Sequence, residues 1–482
     1  MWNLKTRMWC LLALLGTLTI SAQNQLGLRQ GAYSGISSAS LNPANTAAFP
    51  LAFDVNIAGI SFFAENNYAY AESTNLFGFI KNANNLTLKN LEDPAHNNGD
   101  VKTFDFYRTS QGNYFASISA RVEGPAAMIK IKEQTVGFFI NGRSQWDVSK
   151  VDNQLGYDAY NFLEANSSFS VKDPEIRGMN WTEIGGHYSK NINKNISIGG
   201  NLKFLQGLDA ATFNANKDIA LLKQVNRLQV SATDVALATA TNYNFETSKY
   251  NIKPNGFGAG ADLGVRIAIG GTPTKEPILK VGLSLMDLGF VRMKKTVNTT
   301  EFSEIKATFS NSSFEDVSTD AELGNTLSEI VTGDRLAAAA DKPITMGTPA
   351  AASAQMNLNL SPTFSLNAVI VQRIPTTKNA LKRANTFSVT PMYESRWLAV
   401  SAPITLHEYN DLRLGTAVRL GFLTIGTDNV ASLIHQKDFS GSDVYIALKF
   451  NPFDWEKSPY TRSGKGSKSK VDCPKNFKWG KR

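Results

Sequence analysis

Residues 256–270 read Gly-Phe-Gly-Ala-Gly-Ala-Asp-Leu-Gly-Val-Arg-Ile-Ala-Ile-Gly, and their alternation decides the fold. Phe257, Ala259, Ala261, Leu263, Val265, Ile267 and Ile269 share one parity; Gly256, Gly258, Gly260, Asp262, Gly264, Arg266, Ala268 and Gly270 share the other. A period of two makes a strand with one apolar face and one small or polar face. The run is longer than the usual soluble strand of about 5–6 residues. It reaches the roughly 9–11 that a tilted strand needs to cross a bilayer.

Working outward, the same grammar recurs. Leu51, Phe53, Val55 and Ile57 alternate with Ala52, Asp54, Asn56 and Ala58. Tyr114, Ala116, Ile118, Ala120 and Val122 alternate with Ser117, Ser119, Arg121 and Glu123, and Ile196, Ile198, Gly200, Leu202 and Phe204 with Ser197, Asn201 and Lys203. Further runs lie at 136–140, 181–188, 279–285, 354–360, 364–371, 387–393, 397–403, 412–422 and 444–450. Asn-rich turns such as 190–195 and the Ser361-Pro362 break join neighbours, as hairpins favour. These signals predict about 12–16 strands closed into a transmembrane antiparallel β-barrel. The mean hydropathy of −0.20 fits a wall that is half apolar.

Three segments break the rhythm: 72–110, 206–250 and 296–348. Connections this long are expected on one side of a barrel. Residues 218–225 and 322–331 within them read as short helices.

The first 22 residues have the parts of a secretory signal: Lys5 and Arg7, an apolar core at 10–20, and Ser21-Ala22 before Gln23. The core falls short of the roughly 20 residues that span a bilayer as a helix. Removing it leaves Cys473 as the only cysteine, so no internal disulfide is expected. Formal charge is +8, of which the signal supplies +2 and residues 457–482 another +8, leaving 8 − 2 − 8 = −2 for the body. A slightly acidic body with a basic tail excludes a uniformly basic nucleic-acid binder.

Chemistry-bearing motifs are sparse. The glycines at 256–260 have Ala261 where a dinucleotide loop needs its third glycine, and more alternation follows instead of a helix. They read as relief of crowding on the inner face or as bending points. There is no Gly-x-Ser-x-Gly and no His-x-x-x-His pair among His96, His187, His407 and His435, so no cofactor or metal site is expected. His407-Glu408 reads as a solvated loop pair. Trp181, Tyr393, Trp397, Phe453 and Trp455, near strand ends, suit an interfacial aromatic girdle. The tail reads three ways: a solvated end, a contact for an anionic surface, or a protein-docking segment through Cys473, Pro474, Phe477 and Trp479.

Several motifs, taken in order, resemble an outer-membrane family of the Bacteroidota, the domain of unknown function 5723. They are residues 30–35 (Gln-Gly-Ala-Tyr-Ser-Gly) with Leu41-Asn42-Pro43-Ala44, then 258–265, 286–290 (Met-Asp-Leu-Gly-Phe), 419–429 and 441–445. The Asn-Pro-Ala element is also similar to that of fatty-acid-transporter-like barrels, whose N-terminal segment folds into the lumen. The resemblance implies about 14 strands, with residues 23–50 as a plug in which Asn42, Pro43 and Asn45 meet the wall or a ligand. Residues 444–453 resemble the strand that barrel-insertion machinery recognises.

The chain therefore divides into a signal peptide (1–22), a plug (23–50), a barrel (51–456) and a basic periplasmic tail (457–482). The expected function is non-enzymatic: passive uptake or transfer of a small hydrophobic ligand across the outer membrane. The alternatives are an interaction module of an envelope, secretion or motility complex, an outer-membrane hydrolase, and a soluble secreted β-sandwich. Expected partners are outer-membrane lipid, the insertion machinery, and a periplasmic protein or cell wall at the tail, without nucleic acid. A transporter predicts an apolar pocket beside the plug; an enzyme predicts a nucleophile, base and orienter in hydrogen-bond reach.

Overall fold

A computed structural model describes residues 25–82, 87–88, 103–107, 113–156, 163–215, 217–244, 249–271, 277–310, 312, 320–336, 339–340, 342–434 and 437–450. The expected signal peptide and basic tail, with Cys473, Pro474, Phe477 and Trp479, lie outside these residues, as do Phe453 and Trp455.

Alternation along the chain produces a closed antiparallel barrel of 14 strands. They are β1 (Phe53–Asn66), β2 (Asn113–Ile131), β3 (Gln134–Asp152), β4 (Glu175–Asn191), β5 (Ile196–Ala215), β6 (Gly256–Ile269), β7 (Leu279–Met293), β8 (Ala351–Asn359), β9 (Phe364–Arg373), β10 (Thr386–Glu394), β11 (Leu398–Ser401 and Ile404–His407), β12 (Asp411–Leu414 and Thr416–Leu420), β13 (Leu423–Thr427) and β14 (Gly441–Phe450). Each pairs with the next, and β1 closes on β14 from Val55↔Phe450 to Glu65↔Gly441. Closure leaves no open edge among these 14 strands.

The apolar parity points outward. Leu202 is 75% exposed, Leu263 55% and Leu283 55%, while the opposite parity, including Asn201, Lys203, Asp262 and Ser284, is buried inside. This inverts a soluble sandwich, whose apolar faces meet in a core. At the end of short turns (132–133, 192–195, 360–363, 395–397, 421–422), rings of Trp397, Phe422, Phe450 and Phe53 follow one another at 5.8, 5.6 and 6.2 Å. Trp181 corrects the girdle reading: it lies within β4, 1% exposed, with its ring inside and its Nε1 donating to Glu183. A tryptophan's apolar body with one donor suits either place, and a buried acceptor decided it.

At the other end the wall continues beyond the belt. β5 has 20 residues, a rise of about 65 Å, and its last part pairs with Arg227–Ala240, which pairs in turn with Val297–Ser310. The helix Asp320–Thr332 packs on this extension through Leu327, Ile330 and Val331. The other expected helix is a strand, Ile219–Lys223, held between Ser168–Val171 and Arg227–Ala240. Its short apolar run cannot nucleate a helix alone, and two partners offered a ladder.

Candidate functional site: a lumen closed by two segments

Residues 25–50 fold inside the barrel. Pro43 opens the 3-10 helix Pro43–Ala48, and Asn42 caps it, Oδ1 accepting from the Ala44 N–H at 2.9 Å. The Asn42 amide donates outward to the carbonyls of Val265 (3.1 Å) and Leu283 (3.5 Å). The wall makes room with glycine: a Cβ on Gly199 would stand 2.5 Å from the Pro43 carbonyl carbon, one on Gly282 2.7 Å from Asn42 Nδ2, and one on Gly264 would collide with Asn42 Oδ1. Small residues on the inner face of β5–β7 therefore form a cradle for Asn42-Pro43. Asn45 reaches Gln355 at 3.4 Å.

Wall side chains also satisfy the plug backbone, which has no sheet of its own. Ser284 and Gln355 donate to Leu41 O (2.7 and 3.1 Å), Asn201 to Ala39 O (3.1 Å), Asn191 to Ala47 O (3.2 Å) and Lys130 to Phe49 O (3.0 Å). Glu394 accepts from the N–H groups of Ala32 (2.7 Å) and Tyr33 (3.3 Å), Asp54 from Ile36 (2.7 Å), Tyr445 from Gly27 (3.0 Å) and Asp428 from Leu26 (3.4 Å). Burial pushes the Asp428 carboxyl up to about 6.

One chain of groups has the order of a hydrolytic triad. Thr46 Oγ1 lies 2.7 Å from His187 Nε2, and His187 Nδ1 2.6 Å from Asn201 Oδ1. The amide oxygen assigns the proton to Nδ1, so Nε2 accepts. Yet Thr46, His187 and Asn201 are 1%, 3% and 2% exposed, and Thr46 also meets Pro43 O and Ser189 Oγ. With the plug seated, this is a peg between plug and wall with no approach for a substrate. His407 is likewise no loop residue: it ends β11, 8% exposed, with Nε2 3.1 Å from Glu65. Among the described residues no group of three or more His, Cys, Asp or Glu is placed to hold a metal.

Above the plug lies a buried ionic network. Lys203 bridges Asp262 (2.7 Å) and Asp287 (2.6 Å); Arg143 bridges Glu183 (2.9 Å) and Asp287 (3.0 Å); Arg383 completes Asp287 at 3.0 Å. A bulge aims Asp287: Ala261 pairs with Leu288 and Leu263 with Leu285, so one residue of β6 faces two of β7, and Asp287 takes a φ of 52°. Arg143 also lies over the Trp181 ring at 4.7 Å.

Arg383 belongs to residues 374–385, a connection that dips into the lumen from the long-loop end. Leu381 joins Met179, Trp181, Val291, Met293 and Met346 in an apolar cluster; its N–H donates to Gly347 O at 3.0 Å, and Lys382 reaches Glu175 at 2.9 Å. This lid was invisible to periodicity. The network was not wholly so, since Asp-Leu-Gly occurs at both 262–264 and 287–289.

Below the plug, at the short-turn end, opens a vestibule of about 800 Å³. Its wall sets Tyr33 and Phe49 of the plug against Gln355, Asn357, Asn367 and Lys280 of the barrel. The expected apolar pocket beside the plug is therefore amphipathic.

The model of a family described as "Family of unknown function (DUF5723)" matches residues 43–428. Among curated proteins none matches the sequence. Three similar solved structures are a deltaS2 mutant of the monoaromatic hydrocarbon channel TodX (11% identity, 89% of this chain and 95% of that chain, TM-score 0.40), the toluene transporter TodX of Pseudomonas putida (10%, 90% and 95%, 0.38) and a FadL homologue of Pseudomonas aeruginosa (10%, 90% and 97%, 0.30). Likeness at this level carries neither ligand nor mechanism.

Proposed function

The chain belongs to the DUF5723 family of unknown function, and we propose that it is an outer-membrane barrel through which a small, partly hydrophobic molecule passes when its plug shifts. The membrane half of this reading rests on the outward apolar belt: side chains such as Leu202, Leu263 and Leu283 have lipid as their natural partner. The transfer half rests on one observation, the vestibule of about 800 Å³ that ends on the plug. That volume suits a small ligand, and its lining offers both aromatic faces and amide groups. The mechanism is passive: the plug closes the lumen, and shifting it joins the vestibule to the space above.

The test is binding of a naphthylamine fluorophore to the detergent-purified protein, with Ser365→Trp, which fills the vestibule, beside wild type. Saturable binding that the substitution abolishes supports transfer. A second reading, a barrel that acts as a structural or interaction module, is favoured by the lumen's closure from both ends. No binding, together with planar bilayers that stay silent even when the plug is loosened, would replace transfer with that reading.

A further inference from the structure

Three arginines converge where plug, wall and lid meet. Arg29 comes from the plug helix Leu26–Arg29, Arg121 from β2 and Arg383 from the lid. Arg29 is 1% and Arg383 4% exposed. Among the described residues two carboxylates touch them. Glu123 Oε1 is shared by Arg29 Nη2 and Arg121 Nε, each at 3.3 Å, and Asp287 is shared by Arg383, Arg143 and Lys203.

Asp428 uses Oδ2 to accept from Leu26 and lies near enough for the Arg29 charge to act on it. Burial first, then the Arg121 charge, lowers the Arg29 guanidinium to about 9, and burial lowers Arg383 as well. Arg29 Nε and Nη1 and Arg383 Nε are buried with no hydrogen-bond partner among the described residues, and Arg121 Nε has only its 3.3 Å ion-pair contact with Glu123. Donors on buried cations are costly to leave unmatched, because each has lost its water.

Beside Glu123 and Arg121, with Lys203 and Asp262 also in its wall, lies a small cavity of about 30 Å³, closed on the plug side by Ile36, Ser37, Ala39 and Ser40. It has room for one water-sized particle.

We propose that the lumen binds a compact monovalent anion among Arg29, Arg121 and Arg383, beside this cavity, and that the anion ties the plug to the lid. The chemistry required is one negative charge on an atom or group small enough to accept from several guanidinium N–H groups. Free chloride and the carboxylate of a small organic acid both supply it. The site is independent of the vestibule and of any transfer through it.

The experiment follows heat-dependent unfolding of the detergent-solubilised full chain while sodium gluconate is exchanged for sodium chloride, formate or acetate at constant ionic strength. The expected result is a saturable rise of about 2–4 °C in the midpoint with a compact anion, reduced to none in Arg29→Gln and in Arg383→Gln. Two independent variants guard against one that fails to fold, and each is first checked for its heat-dependent gel mobility. A response to formate and acetate without chloride assigns the site to a carboxylate; a response to all three assigns it to any compact anion. A bromide-soaked crystal should then show an anomalous peak against Arg29. No anion dependence in wild type would mean that the donors are matched by water. A rise that persists in both variants would place any anion elsewhere. Either result overturns the proposal.

Discussion

The two segments that close the lumen do so by different physics. The plug is held by many dispersed hydrogen bonds, neutral and charged, between wall side chains and its backbone, and by a steric fit of Asn42-Pro43 onto glycines. The lid is held by ion pairs, Arg383 to Asp287 and Lys382 to Glu175, around one buried leucine. Dispersed bonds and shape give a position that no single partner decides. Buried charge gives a position that is robust when every partner is present and collapses when one is removed.

The largest expected effect follows from that last point. Asp287→Ala leaves Lys203, Arg143 and Arg383 without their shared carboxylate, and breaking a buried network of this kind costs about 3–5 kcal/mol. The lid should become protease-sensitive at 374–385 and the unfolding midpoint should fall sharply, while the belt and the closing pair β1–β14 remain. A lid that stays protected would mean that Leu381 and its apolar cluster, not charge, hold it.

Next is the plug. Gly264→Val places a branched side chain where Asn42 and Pro43 sit; over-packing of this severity costs about 3 kcal/mol. The plug should unseat, and planar bilayers should pass current where wild type is closed. If they remain silent, the lid alone seals the barrel.

The contrast also explains what was legible in the sequence. The outward belt and a range of about 12–16 strands followed from alternation, because lipid on one side imposes period two on every strand, while the figure of about 14 came with the family resemblance. Asn42-Pro43 was readable as a local element, since a cap and a fixed φ are written in two residues. The lid was not readable: residues 374–385 have no period, and their place depends on Arg383 meeting an aspartate 96 positions earlier. Ile219–Lys223 was misread as helix because its partners, at 168–171 and 227–240, are supplied by other parts of the chain. Trp181 and His407 were misread for a related reason: inward and outward positions differ by a single residue, and the buried Glu183 and half-buried Glu65 fix which is which.

A smaller effect tests the carboxylate that holds the plug's first helix by its backbone. Burial raises the Asp428 carboxyl from 3.8 to about 6, so the folded protein holds that proton more tightly than the unfolded chain. The sign is that stability is greatest below about pH 4 and declines as pH rises through about 6, by on the order of 2 kcal/mol. Asp428→Asn should flatten midpoint against pH across this window and make the protein more stable at pH 7. A wild-type profile already flat between pH 4 and 7 would show that the carboxylate is matched by nearby cations, among them Arg29 and Arg413.

The smallest effect sharpens the comparison most. Lys382 touches Glu175 and Ser149 at 2.9 and 2.7 Å, but its side chain is 27% exposed and Glu175 already has Lys150 and Arg177 beside it. A partly solvated pair with substitute partners contributes about 0.5 kcal/mol at most. Lys382→Gln should therefore leave the unfolding midpoint within a degree or two and protection of 374–385 unchanged. Arg383→Gln, one residue along and fully enclosed, should expose the same segment. The pair isolates burial as the variable, because both substitutions remove one positive charge from the same lid. If the two variants loosened the lid equally, its hold would depend on total charge in the lumen, and raising the salt concentration should then release it in wild type as well.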